Sequence, residues 1–155
     1  MNIDTDLQTA SALLTPWAKD SQKHEPERLD VSLAVGDLLP AVKALHDAHW
    51  GYLAAITGLD LGVDAGEIEV LYHFCEGAAV VTLRVRTSRA AASVPSVCAV
   101  LPSASLFERE LIEMFGVTVV DTPDPTRLFL PDDWPDGVYP LRKDFVVETA
   151  ETTTE

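Results

Sequence analysis

The 155-residue sequence predicts an α+β fold, a mixed β-sheet layered with helices and followed by an extended, proline-rich C-terminal arm. Three observations carry that prediction. "EIEVLYHF" and "AAVVTLRVR" alternate with period two, and Cys75-Glu76-Gly77 between them reads as a hairpin turn. A strand and a helical stripe precede this hairpin and a further helix follows it, so strands and helices share one core. Beyond Gly116, Pro123, Pro125, Pro131, Pro135 and Pro140 leave pieces too short for helices, because proline lacks an amide donor and restricts the residue before it.

Taken in order, residues 7–17 read as a short helix ended near Pro16, and "KDSQKHEPER" as a charged connector. "LDVSLAVG" fits a strand. Asp37 stands at a cap position, and Leu38, Val42, Leu45 and His49 fall on one stripe of a helix that tolerates Pro40 in its first turn and ends at Gly51. "YLAAITGLDLG" reads as a buried strand and Asp64-Ala65-Gly66 as a turn. "RAAASVPSVCAVLP" fits a short helix or an irregular link, and "SLFERELIEMFG" is the clearest helix in the chain. The length suits one core rather than two. We expect a scaffold domain over 1–120, a partner-docking arm over 121–145 and, since apolar content almost vanishes after Val147, a disordered tail over 146–155.

Eleven Lys and Arg against 25 Asp and Glu give a net charge of −14. That balance opposes binding to nucleic acid, which depends on cations releasing counterions from phosphates. It disfavours anionic membrane surfaces in the same way, so membrane contact is expected only through partner chains. No apolar run reaches the roughly 18 residues that a bilayer span requires. "MNIDTDLQTASALL" has two aspartates and no base before its apolar stretch, the wrong polarity for a signal peptide, so the protein is expected to stay where it is made.

Cys75 and Cys98 are the only cysteines and form no C-x-x-C pair, so this chain alone cannot build a four-cysteine iron–sulfur or zinc site. Both read as buried small hydrophobes. His46 and His49 could share a helix face, but spacing supplies no third ligand, and no metal is expected. There is no G-x-G-x-x-G, Walker or G-x-S-x-G motif, so neither a nucleotide site nor an activated serine is indicated.

On the helical wheel of the last helix, Leu111, Ile112, Met114 and Phe115 mark an apolar arc, with Arg109, Glu110 and Glu113 opposite. Glu108 falls inside the arc. It must be paired, or satisfied by backbone donors, or serve as a general acid or base. Ser105-x-x-Glu108 also has the form of a capping box, which is the simplest account. Arg109 and Glu113, four apart, read as a surface pair. No catalytic residue is expected, although a free-standing acid–base enzyme on Glu108 and Glu110 is a conceivable competitor.

Residues 121–145 hold six aspartates, three bases and several apolar anchors. Prolines reduce the ordering cost of docking, so such an arm can bind a partner groove, or it can fold back and cover a sheet edge of its own domain.

"FERELIEMFGV" followed by "DPTRLFLPDDWPDGVYPLRKDF" resembles the signature region of the C-type subunit of NADH-quinone oxidoreductase, the 30 kDa subunit of respiratory complex I, and of related subunits of membrane-bound nickel–iron hydrogenases. The resemblance rests on Glu108, Arg109, Glu110, Met114, Phe115 and Gly116 in the helix. In the arm it rests on Arg127, Leu130, Pro131, Asp133, Trp134, Pro140, Leu141, Arg142, Lys143 and Asp144. It implies an accessory subunit that carries no cofactor itself, with FMN and iron–sulfur clusters in partner chains. Those partners would be the large (D-type) quinone-site subunit and the small (B-type) iron–sulfur subunit of the same NADH-quinone oxidoreductase. The subunit would lie peripherally on the cytoplasmic side of the inner membrane and support electron transfer to quinone coupled to proton translocation. On this reading Arg142 and Lys143 meet acidic partner groups, Trp134, Tyr139 and Leu141 fill apolar pockets, and Glu108 and Arg109 hold the helix beneath the arm. The sequence has Glu113 where the family usually has aspartate, and "VDTPDPTR" in place of a run with two bases. The Val-Tyr of "WPDGVYPLRKDF" looks as much like the hydrogenase branch, and the equivalent subunit of a hydrogenase or formate hydrogenlyase-type complex is the alternative.

Overall fold

A computed structural model describes residues 2–147. Five strands, β1 (Asp20–Glu25), β2 (Arg28–Leu33), β3 (Tyr52–Asp60), β4 (Glu67–Glu76) and β5 (Ala79–Ser88), form one sheet in the order β1-β2-β5-β4-β3. β2 and β5 run parallel and the other neighbours antiparallel, so the sheet is mixed as the sequence predicts. The β4–β5 hairpin turns at Gly77, whose φ of +57° suits a residue without Cβ.

Side-chain alternation fixes the two faces of the sheet. Val70, Tyr72 and Phe74 of β4 lie in register with Val85, Leu83 and Val81 of β5 on the inner face, and Ile68 is buried beside them. Two helices, α1 (Ile3–Leu14) and α2 (Leu38–Asp47), bury Leu7, Ala10, Leu14, Leu38, Val42 and Leu45 in the same core. The indole N–H of Trp50 donates to the Asp6 carbonyl at 2.9 Å and ties the end of α2 to α1. The third helix, α3 (Ser105–Phe115), packs beside β3, flanked by a short parallel pair, β6 (Ser93–Pro95) and β7 (Thr118–Val120).

The opposite face of the sheet is polar. Arg84 bridges two buried carboxylates there, Glu69 at 2.6 Å and Asp30 at 3.0 Å, while Arg28 and Arg86 complete the cluster. Burial alone would raise both acids, but the guanidinium donors outweigh it and hold both carboxyls below their ordinary range. His73 lies between Thr82 and Thr57, and burial followed by the Arg28 charge lowers its pKa.

Several elements differ from the sequence reading. The charged connector contains β1, all six residues exposed, which alternation could not reveal because neither face is apolar. α1 begins earlier and ends earlier than 7–17, with Asn2 accepting the Asp4 amide at 3.1 Å as its cap. Asp37 makes no side-chain cap, because a 3-10 turn (Val35–Asp37) leads straight into α2 with helical backbone and leaves no extended residue at the cap. α2 stops at Asp47, and His49 takes a left-handed φ of +52° outside the helix. The ambiguous 89–102 stretch is neither a helix nor wholly irregular, since Ser93–Pro95 pairs with Thr118–Val120. Beyond β7 no helix or strand occurs among the described residues. The tail expected over 146–155 lies, from 148 onward, outside them.

Gly58 on β3 faces the Phe115 ring, and a Cβ there would stand 2.5 Å from Cδ2 of that ring. Gly58→Ala should therefore destabilise the fold by about 1–3 kcal/mol through overpacking. Urea unfolding should show a lower midpoint at unchanged slope.

Candidate functional site

α3 carries a carboxylate on each of two faces, and both are buried. The sheet-side one is Glu108, 1% exposed. It accepts from the Ser96 hydroxyl at 2.9 Å, the Val97 amide at 2.8 Å and the Cys98 thiol at 3.2 Å. The capping box does not form. A 3-10 turn (Pro102–Ala104) runs into α3, Ser105 already has helical φ and ψ of −53° and −45°, and a serine cap needs extended backbone. Glu108 instead reaches inward to the turn after β6, pinning α3 to the body. Burial and the Glu108 carboxylate push the Cys98 thiol up to about 11, so it stays a neutral donor.

The second carboxylate overturns the surface-pair expectation. Glu113 is 6% exposed, because the chain beyond β7 returns over this face of α3. Its oxygens accept three consecutive amides, Leu128 at 3.1 Å, Phe129 at 2.8 Å and Leu130 at 3.2 Å. Arg109 does not bond Glu113; its guanidinium donates to the carbonyls of Thr126 at 2.8 Å and Arg127 at 2.6 Å. One helix turn thus supplies an acceptor for the arm's amides and a donor for its carbonyls. Proline-broken backbone cannot satisfy these groups in a ladder of its own.

Further along, the arm is held at α3's C-terminus and at the end of β3. Gly116 caps α3 in the left-handed region, φ +67°, and the Tyr139 ring covers it where any side chain would intrude. The Leu141 amide donates to the Met114 carbonyl at 3.1 Å, and Arg142 Nε donates to the Phe115 carbonyl at 2.8 Å with its guanidinium 4.6 Å from the Tyr139 ring centroid. Asp60, 2% exposed, accepts Arg89 at 2.9 Å, the Lys143 amide at 2.8 Å and the Gly62 amide at 3.0 Å. Arg89 also pairs with Asp144. The Arg89 guanidinium, then the two backbone amides, hold the Asp60 carboxyl far below the usual carboxylate range.

These contacts sort the predicted residues. Glu108, Arg109, Met114, Phe115, Gly116, Leu130, Tyr139, Arg142 and Asp144 meet within the chain. Arg127 closes a local loop, donating to the carbonyls of Pro131 and Asp132 and to Asp136 at 3.0 Å. The Trp134 N–H goes to the Val138 carbonyl, and its ring centroid lies 6.1 Å from that of Phe145. Pro140 is half-buried, and Glu110 lines a groove beside β3. Left facing solvent are Phe129 (65%), Leu141 (51%), Val146 and Val147, together with Pro131, Asp132, Asp133, Asp136 and Lys143. Arg142 is half-buried, with Nε committed to the Phe115 carbonyl, and it lines the cleft between Trp134 and Val147. The sequence reading missed Asp60 and Arg89; an aspartate flanked by Leu59 and Leu61 in a buried-strand pattern was the available signal.

Between Trp134 and Val147 the arm leaves an open cleft of about 620 Å³, lined also by Tyr139 and Phe145. No cluster of three or more His, Cys, Asp or Glu able to hold a metal occurs among the described residues, and no described helix is long and apolar enough to cross a membrane. Glu108 is sealed inside and the Cys98 thiol is held neutral.

Residues 31–151 match the sequence profile of a family described as the respiratory-chain NADH dehydrogenase, 30 Kd subunit. Hydrogenase-4 component G of Escherichia coli (strain K12) is 34% identical over 154 residues, 93% of this chain and 28% of that protein. The C-type subunit of the NADH-quinone oxidoreductase of Chloroherpeton thalassium is 38% identical over 100 residues, 63% of this chain and 40% of that protein. The chain thus spans well under half of either relative. Among solved structures, a chain of the membrane-bound sulfane sulfur reductase, an archaeal respiratory membrane complex, superposes with a TM-score of 0.79 at 23% identity, covering 93% of this chain and 87% of that one, which shows a shared fold.

Asp60 generates an acid-limb prediction. A carboxyl whose folded pKa is depressed contributes stability in full above its unfolded value near 4, and loses it as pH falls toward the folded value. Wild-type stability in urea should fall between about pH 5 and about pH 2, and Asp60→Asn should flatten that fall. Equal slopes in the two proteins would show that the Asp60 contact carries none of it.

Proposed function

This chain belongs to the family of the respiratory-chain NADH dehydrogenase 30 Kd subunit, and from that premise we propose that it is an accessory subunit of a hydrogenase or formate hydrogenlyase-type electron-transfer complex. It would carry no cofactor itself. The observation that favours this branch is alignment with hydrogenase-4 component G over 93% of the chain, against 58–76% for quinone oxidoreductase relatives. A second reading, an accessory subunit of an NADH-quinone oxidoreductase, is supported by the family's own description and by the 38% identity of the Chloroherpeton thalassium relative. In either complex the redox centres would sit in partner chains, iron–sulfur clusters with nickel in the first and with flavin in the second, and this subunit would associate with the membrane through those chains.

The arm is the surface we assign to the large partner subunit. Its backbone is already ordered by α3 and Asp60, which lowers the entropic cost of docking. Its exposed apolar side chains are Phe129 and Leu141, with Val146 and Val147 just beyond its end, whereas Trp134 and Tyr139 pack within the chain. Asp132, Asp133 and Asp136 face outward around them, so the matching partner patch is apolar with a basic rim.

Isolation of the native complex on the tagged chain, with identification of the accompanying chains, tests this reading. A large subunit bearing nickel-site cysteine motifs is the expected companion; one without them, together with an NADH-oxidising flavin subunit, selects the second reading. Recovery of no redox subunit contradicts both. The double variant Phe129→Asp, Val146→Asp should recover at least about tenfold less partner while unfolding at the same urea concentration as the wild type.

A further inference from the structure

The two edges of the sheet are treated differently. β1 is a protected edge: Asp20, Ser21, Gln22, Lys23, His24 and Glu25 are all exposed and polar; each edge carries one register shift, between Gln22 and Glu25 in β1 and between Leu53 and Ala55 in β3. β3 is the opposite edge, nine residues long, with neither a charge nor a proline from Tyr52 to Leu59. Among the described residues its backbone pairs only with β4 over 53–59. Tyr52 and Leu59 are 64% and 40% exposed along it. A long, uncharged, exposed edge invites another strand, so a chain that avoids aggregation in the cell keeps it covered.

Beside this edge runs a groove of about 290 Å³ lined by Gly58, Phe107, Leu111, Phe115 and Leu141, with Glu110 at its rim. No cation lines it, and Glu110 has no ion-pair partner among the described residues. We propose that β3 is completed by an extended segment of a partner subunit, which adds a strand along 53–59, sets alternate apolar side chains in this groove and places a lysine or arginine against Glu110. A second copy fits poorly: it would bring another −14 and another Glu110, with no base along its own β3 to answer either. This inference rests on the accessory-subunit reading, but it concerns a surface separate from Phe129 of the arm and Val146 just beyond it.

Hydrogen exchange followed by mass spectrometry, on the isolated chain and on the chain within its native complex, tests it. About half of the β3 amides point away from β4 and should exchange freely in the isolated chain, then slow about 100-fold or more in the complex. Glu110→Lys should lower recovered partner about tenfold. Arm protection in the complex without protection of 53–59 overturns this inference and leaves the docking arm standing; loss of protection at both surfaces overturns the accessory-subunit reading itself. Protection of β3 that grows with concentration of the isolated chain identifies a second copy as the occupant and also overturns it, as does full partner recovery by the Glu110→Lys variant.

Discussion

Three consecutive amides converge on one carboxylate where Glu113 meets Leu128, Phe129 and Leu130, and this contact decides the course of everything beyond β7. A proline-punctuated chain cannot join a ladder, so its buried amides need acceptors from elsewhere. α3 provides one of them, and Arg109 answers the neighbouring carbonyls. Glu108 fixes α3 to the turn after β6, so the helix is a rigid mount with one acid gripping the body and the other gripping the arm.

The segment beyond β7 is therefore ordered by bonds within the chain. Asp60 and Arg89 secure its far end, and the Tyr139 ring rests on the left-handed Gly116, where a side chain would push it off. What remains exposed after these internal bonds are made is apolar and acidic. Arg142, the most conspicuous base of the segment, satisfies the Phe115 carbonyl left over at the end of α3. That leaves Lys143 as the exposed base of the 142–143 pair, so the outward charge of the arm has the opposite sign from that suggested by the adjacent bases in the sequence.

Much of the scaffold was legible because its signals are periodic. β4, β5 and α3 each bury one face, and alternation or a helical stripe records that directly. β1 was invisible because a strand exposed on both faces has no pattern to read. The caps at Asp37 and Ser105 failed for a shared reason: the sequence shows a capping residue but not the 3-10 turn before it that makes its backbone helical. Glu113 was misread because a helical wheel sees only the helix, and the covering layer comes from 15 to 17 residues downstream. Within the candidate site the motif residues were identifiable as a set, whereas their division into inward and outward groups depended on Asp60 and Arg89, which lie far away in sequence.

α3 pre-forms the arm through Glu113. Amide hydrogen exchange of Leu128, Phe129 and Leu130, followed by NMR in the isolated chain, measures it most directly. All three should be protected in the wild type, and Glu113→Ala should speed their exchange about tenfold or more, as an amide left without its acceptor requires. Exchange of these amides at unstructured-chain rates in the wild type, or rates that Glu113→Ala leaves unchanged, would contradict it.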